Sequence, residues 1–544
     1  METITLILVL LVALLASSFL LRISALPVPL PLAQIGVGAA IGTIADLRVE
    51  LDPQIFFLLF LPPLLFIDGW RIPKQGLFRD AGTILELALG LVIFTVVGMA
   101  LFMHWLIPAM PLVVCFALAA VLSPTDPVAV SSIGARVPIP KRMMHILEGE
   151  SLLNDASGLV CLRFATAAAL TGTFSLPAAF LTFLQLAIGG IAIGAGVTWS
   201  ITAVKNWISL RYGEEPGVQI LVSLLMPFAA YLAAEHLHCS GILAAVAAGI
   251  TMSYAELTGQ ALAITRVRRN AVWDTVQYTA NGLIFIVLGE QLPFIFSKAA
   301  STVWESGHYQ TWWLVVYVVA ITLALGVLRF LWVWASLEFT LFWANRNGVT
   351  RQRPSWRLLA AGTVAGVRGA ITLAGILTLP LFLPDGTPFP SRDLAIFLAA
   401  GVIVLSLVIA SIAMPPLLTG YDLLPEPSQA AEEDRARRAA SDAAIREIER
   451  AQHKLAKGRS DADVYAAAAA QAMDLYRLRV AAPLRTEQEI QLSKQVDKIA
   501  ITLRLAGLRA EREEIFRLAR NHELEDGIAR RIVREIDLIE ARYS

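Results

Sequence analysis

A chain of 544 residues that is 56% hydrophobic and only 16% charged has the composition of a membrane protein rather than of a soluble domain. Its formal net charge is zero, which argues against a nucleic-acid partner. Cys115, Cys161 and Cys239 show neither CxxC nor His/Cys ligand spacing, so they read as small apolar packing residues rather than as a disulfide framework or zinc site.

The chain opens with METITLILVLLVALLASSFLLR, whose early charge is Glu2 where a signal peptide would carry a positive n-region. It is read as a retained first span. Apolar runs of membrane-crossing length then fall near 3–21, 26–44, 53–70, 81–107, 110–133, 143–170, 177–203, 217–237, 240–256, 272–293, 311–337, 356–381 and 392–419. About thirteen transmembrane helices are expected, in an all-α polytopic fold over 1–420. Residues 421–544 are expected to form a cytoplasmic helical domain. Alternate loops carry Arg22; Arg71, Lys74, Arg79; Arg136, Lys141, Arg142; Lys205, Arg211; Arg266, Arg268, Arg269; and Arg346, Arg351, Arg353, Arg357. The other loops carry only Arg48, Lys298 and Arg392. By the positive-inside rule the rich set is cytoplasmic, with the N-terminus outside and the C-terminus inside.

Thirteen spans are compatible with an inverted repeat of spans 1–6 and 8–13, the seventh being a linker. Such transporters place their site where interrupted helices of the two halves meet. Span 5 contains SPTDPVAV, where Pro124 and Pro127 flank Thr125 and Asp126 and should break the helix. Span 12, AAGTVAGVRGAITLAGIL, is weakened by glycines around Arg368.

Span 6, MMHILEGESLLNDASGLVCLRFATAAAL, holds the most unusual cluster. An ionised side chain at mid-bilayer costs about 2.5–3.5 kcal/mol on insertion scales, so its charges need partners, water or a bound cation. Helical spacing puts Ser151 and Asp155 on one face, and Glu150 and Asn154 on one face. Asp155 and Asp126, with Thr125, Ser151, Asn154 and freed backbone carbonyls, make an oxygen-rich site for a hard cation. Burial disfavours a carboxylate's ionised form and a nearby cation favours it, so one group can hold a proton or a cation, which is the simplest basis for antiport. Arg329 is a lone cation deep in span 11, and Glu150 can pair with it. Arg368 can compensate the carbonyls at the broken helix ends, with a substrate-anion contact as the rival role. Asp68, in FLPPLLFIDGW, reads as a funnel or interfacial anchor. Arg163 lies two turns beyond Asp155 and reads as a vestibule or local-pairing residue.

Beyond Pro425 the Ala/Glu/Arg-rich sequence reads as soluble helices with i,i+4 charge pairs. No GxxxxGK[ST] occurs, so transport driven by nucleotide hydrolysis has no phosphate-binding loop to use. An intramembrane aspartyl protease would also need two membrane aspartates, yet it would leave the paired breaks and buried arginines unexplained.

Four segments, FLPPLLFIDGW, LSPTDPVAV, EGESLLNDASGLV and GVRGAITLA, together resemble the signature segments of the monovalent cation:proton antiporters of the Asn-Asp type. That branch holds bacterial NhaP-like proteins and animal sodium/proton exchangers, and the similarity covers about residues 1–420. The resemblance implies a thirteen-span inverted-repeat fold, a homodimer in a bacterial inner membrane, and elevator-like exchange of Na⁺ for H⁺ without a cofactor. It implies that Asp155 carries proton and cation, that Asn154 completes the Asn-Asp pair, and that Ser151 is an accessory ligand. Thr125 and Asp126 match the broken-helix motif, Glu150 and Arg329 the buried ion pair, and Arg368 the arginine of the Gly-rich motif. Asn at 154 implies electroneutral one-for-one exchange. K⁺ and Li⁺ remain open as cargo, because ligand types do not exclude them. Relatives with an acidic ligand in span 3 carry it at the place of Ile67, so Asp68 is not assigned to the ion site.

Overall fold

The computed structural model describes residues 2–24, 28–44, 53–72, 74, 81–127, 130–131, 139–171, 176–256, 262–305, 312–346, 355–383, 385–419, 427–457, 462–480, 487–521, 523–524 and 526–540. Arg48, Arg79, Arg136, Arg351 and Arg353, and residues 420–426 at the expected domain boundary, lie outside them. The chain divides into two units, Met1–Tyr421 and Asp422–Ser544.

In the first unit the described parts of the long apolar runs are largely helical. These are α1 Glu2–Ser24, α2 Leu30–Ile44, α3 Pro53–Arg71, α4 Ala81–Leu106, α5 Leu112–Leu122, α6 Lys141–Thr171 and α7 Leu176–Tyr212. There follow α8 Pro216–His236, α9 Gly241–Glu256, α10 Ala263–Glu305, α11 Trp313–Arg346, α12 Trp356–Val364, α13 Ala370–Leu377 and α14 Arg392–Leu418. Seven of the described helices are long and apolar enough to cross a membrane on length and composition, and three more are shorter and apolar. This count falls short of thirteen in part because α6 carries several charges and span 12 is split into α12 and α13.

Several helices outrun their apolar windows. α10 has 43 residues, about 65 Å at 1.5 Å per residue, against a hydrocarbon core of about 30 Å. Its charged first turns, with Arg266, Arg268 and Arg269, continue the helix past the apolar segment.

Lipid offers apolar side chains as good a home as another helix does, so close packing between spans depends on small residues. α2 and α10 show this reciprocally, with Gly38 against the Ile286 carbonyl and Gly289 against the Ile35 carbonyl. α9 is held in the same way, because Gly249 lies on the Phe66 carbonyl of α3 and Gly194 of α7 lies on Ala244. Beside it Phe66, Ile67, Trp70 and Trp273 form a buried apolar cluster, with the Phe66 and Trp273 rings stacked at 5.3 Å. All three cysteines are free thiols.

The second unit contains α15 Pro427–Ala456, α16 Ala462–Val480, α17 Glu487–Arg520 and α18 Asp526–Glu540. α15 packs on α16, and α17 packs on α18. Arg512 of α17 reaches Asp537 at 3.0 Å and also pairs with Glu540, which ties α18 to its neighbour. Two hydrogen bonds from Arg517, of 2.6 and 2.8 Å, hold the Glu514 carboxyl below its ordinary pKa.

Candidate functional site

α5 stops just before the first of two closely spaced prolines. Its last helical bond is donated by Ser123 to Ala119 at 2.9 Å, and Pro124 and Pro127 have no N–H to continue the ladder. Thr125 and Asp126 are left non-helical. On the other side α12 ends at Val364, residues 365–369 are non-helical, and α13 begins at Ala370. The two breaks are joined directly, since the Asp126 N–H donates to the Val367 carbonyl at 2.7 Å. Gly369 is needed here because a Cβ at that position would collide with the Asp126 carboxylate.

Arg368 is buried at this crossing. Its Nε donates to the Leu122 carbonyl at 2.8 Å, its Nη1 donates to the Gly366 carbonyl, and its own N–H donates to Ser406 Oγ at 3.2 Å. The guanidinium therefore sits on the negative, C-terminal end of α5 and on a freed carbonyl beyond α12. Replacing it by alanine should destabilise the protein by about 3 kcal/mol, the scale of hydrogen bonds to a charged donor, with lysine recovering part. Thermal unfolding of the purified protein checks this. A wild-type melting temperature in Arg368→Ala would rule it out.

α6 presents two polar faces, one for each pair that its spacing groups together. On the first, Arg329 of α11 grips Glu150 with both Nη atoms, at 2.5 and 2.8 Å, and its Nε donates to the Gly362 carbonyl at 3.1 Å. Glu150 is 1% exposed and Arg329 3%. The Thr125 hydroxyl donates to Glu150 Oε1 at 3.1 Å and accepts from Asn154 Nδ2 at 3.1 Å. Asn154 thus joins the ion-pair network and does not line the cavity, and its Oδ1 is buried without a hydrogen-bond partner.

The second face carries Ser151 and Asp155, which line a cavity of about 30 Å³ with Thr125, Asp126 and Thr372. That is room enough for water to enter. Asp155 is 6% exposed, Asp126 is half-buried and Asp68 is exposed, so the carboxylates grade from an open mouth to a buried end. Asp68 therefore belongs to the cavity, although the step of one residue from Ile67 argues for another direction. Ile67 points into the apolar cluster with Phe66 and Trp70, and this turns Asp68, with Leu64 and Leu65, toward the cavity. The three carboxylates do not converge into a chelating cluster; among the described residues no group of three His, Cys, Asp or Glu is placed to hold a metal ion. Hydroxyl and amide oxygens must complete any cation's shell.

Two lining residues, Gln277 and Asn281 of α10, escaped the sequence reading. Their signal was present as a polar stripe at 274, 277 and 281 of α10. Arg163 lies away from this cavity and pairs with Glu235 of α8 at 3.1 Å.

Helices broken within an apolar bundle, joined across their breaks beside a small carboxylate-lined cavity, define a secondary ion transporter rather than an enzyme. The family model for the transmembrane sodium/hydrogen exchanger matches residues 7–420. The uncharacterized Na⁺/H⁺ exchanger YjcE of Escherichia coli is 39% identical over 537 residues, covering 96% of each chain, so the likeness continues into the second unit. A sodium, potassium, lithium and rubidium/H⁺ antiporter of Bacillus pumilus is 41% identical over 413 residues, 75% of this chain and 60% of that one. Among solved structures, the sodium proton antiporter MjNhaP1 of Methanocaldococcus jannaschii aligns with a TM-score of 0.58 at 18% identity, covering 77% of this chain and 99% of its own. The chain belongs to the sodium/hydrogen exchanger family, whose members exchange monovalent cations for protons across a membrane.

Proposed function

We propose that this protein exchanges Na⁺ for H⁺ one for one, with Asp155 carrying either ion in turn and Asp126 completing the cation site. The observation that carries the reading is Asp155 itself, buried at the inner end of a small cavity that has room for water. An ionised carboxylate there is costly unless something neutralises it. A proton on Asp155 does so, and so does a cation held among Asp155, Asp126, Ser151 and Thr125. A cation beside a protonated, uncharged Asp155 gains too little to offset its dehydration, so the two compete. Both loaded forms are neutral at Asp155 and the empty form is not. Reorientation of the empty carrier is therefore disfavoured, which couples the two fluxes.

One-for-one stoichiometry is supported by the first face of α6, where Arg329 already balances Glu150 and residue 154 is an uncharged amide. Alternating access, in an elevator-like motion, and a homodimeric assembly rest on the resemblance in the sequence. So does the placement of residues 1–420 as the transport domain, whereas 421–544 as a cytoplasmic helical domain rests on its charged, Ala/Glu/Arg-rich composition and on the positive-inside rule. The cavity opens at Asp68, beside Arg71 and the Lys/Arg-rich loops, which supports a cytoplasm-facing state. The membrane is then a bacterial inner membrane, with the N-terminus outside. The cycle needs the two ion gradients and no cofactor.

K⁺, Li⁺ and Rb⁺ are a second reading of the cargo, favoured by the printed substrate range of the Bacillus pumilus relative. Everted vesicles from an antiporter-deficient bacterium test both. After a pH gradient is built, Na⁺, Li⁺, K⁺ or Rb⁺ is added and collapse of the gradient is followed with a fluorescent amine. Collapse by Na⁺ is expected, and the other traces give the cargo range. No response to any of the four from well-inserted protein would overturn the antiport reading.

A further inference from the structure

Two amides face the proposed cation site from a helix that the reading above does not use. Gln277 and Asn281 are one turn apart on α10, about 6 Å along its axis, and share a face. Both line the cavity that Asp126 and Asp155 line. Among the described residues no three carboxylates are placed to share a cation, so beyond Asp126 and Asp155 the remaining oxygens of a bound cation's shell have to come from neutral groups. Gln277 is also held in place. Arg71, one turn beyond Asp68 on α3, donates through Nη1 to Gln277 Oε1 at 2.9 Å and through Nη2 to Asp274 Oδ1 at 2.5 Å. Arg71 is 39% exposed and Asp274 63%, and a pair so exposed adds little stability. Its structural consequence is that the Gln277 amide is fixed with Oε1 on Arg71, and the second lone pair of that oxygen is what it can offer a cation.

We propose that Gln277 and Asn281 determine which monovalent cation the cavity accepts, and that Arg71 is a positioning residue acting through Gln277. This rests on the antiport reading and adds a selectivity wall to it. The physical reason is size. Small, strongly hydrated Li⁺ and Na⁺ lose most when a coordinating oxygen is removed and the cavity widened. The larger K⁺ and Rb⁺, more weakly hydrated, lose least.

The test reconstitutes wild type, Gln277→Ala, Asn281→Ala, Asn281→Ser, Arg71→Ala and Arg71→Lys into vesicles holding a pH-sensitive dye. KM is measured for Li⁺, Na⁺, K⁺ and Rb⁺. The ratio of KM for Na⁺ to KM for K⁺ should rise about tenfold in Gln277→Ala and Asn281→Ala, the scale of one lost polar contact. Arg71→Ala should move the ratio in the same direction and Arg71→Lys less. Asn281→Ser, which keeps an oxygen, should fall between wild type and alanine, and it carries the test if the alanine variant does not insert. A general structural defect would change all four KM values by one factor. That outcome, or ratios that stay at wild type, overturns the selectivity wall. A shifted Gln277→Ala with an unshifted Arg71→Ala overturns the positioning role. Wild type that couples no cation to protons would instead sink the antiport reading.

Discussion

Asp155→Asn protein is expected to insert and melt like wild type yet to move no protons in response to any cation. Asparagine matches aspartate in shape, and α6 is an unbroken helix through this position, so the fold has no reason to change. The amide has no proton to give up and no charge to offer a cation. Both loaded states are thereby removed at once, and exchange should fall to the level of empty vesicles. In the everted-vesicle assay the wild-type response to Na⁺ would vanish. A variant that exchanges as fast as wild type would make Asp155 structural and move the proton-carrying site elsewhere. Asp126→Asn is a useful companion, because the backbone bond from residue 126 to the Val367 carbonyl survives it. The crossing stays joined and only the side-chain charge is lost.

The second large effect concerns stability rather than turnover. Removing either partner of the Glu150–Arg329 pair leaves a buried, uncompensated charge, and the expected cost is about 3–5 kcal/mol. Glu150→Ala should be the more disruptive of the two, since Thr125 also loses the acceptor for its hydroxyl and Asn154 hangs on Thr125. Replacing both partners together, Glu150→Gln with Arg329→Met, should recover most of the loss, because no bare charge then remains. Thermal unfolding of the purified single and double variants decides this. If the double variant is as unstable as the sum of the singles, the pair is not acting as a charge-compensating unit.

The network also shows why Thr125 links two jobs. Its hydroxyl is engaged with Glu150, while the residue lines the cation cavity. A change in the ion pair can thus reach the site through one side chain.

What the sequence by itself determined are the features set by local covalent and helical chemistry. Two prolines flanking Thr125 and Asp126 remove backbone donors on both sides and favour a break there, although single or adjacent prolines are carried inside α3, α8, α10 and α14, and the glycines around Arg368 weaken its counterpart. A four-residue spacing puts Ser151 with Asp155, and Glu150 with Asn154, whatever surrounds them. A lone arginine in an apolar span demands an anion, which makes Glu150 and Arg329 legible as a pair. Tertiary structure alone decided which way each face turned. It directed Asn154 into the ion-pair network, brought Asp68 to the cavity, and placed Gln277 and Asn281 on the wall of the cavity that Asp155 lines. Periodicity tells which residues share a face but not which neighbour that face meets. In a membrane the usual clue to that azimuth is missing, because an apolar side chain is as well solvated by lipid as by another helix. Only the packed arrangement of spans, fixed by close glycine contacts such as Gly249 on Phe66 and Gly289 on Ile35, supplies it.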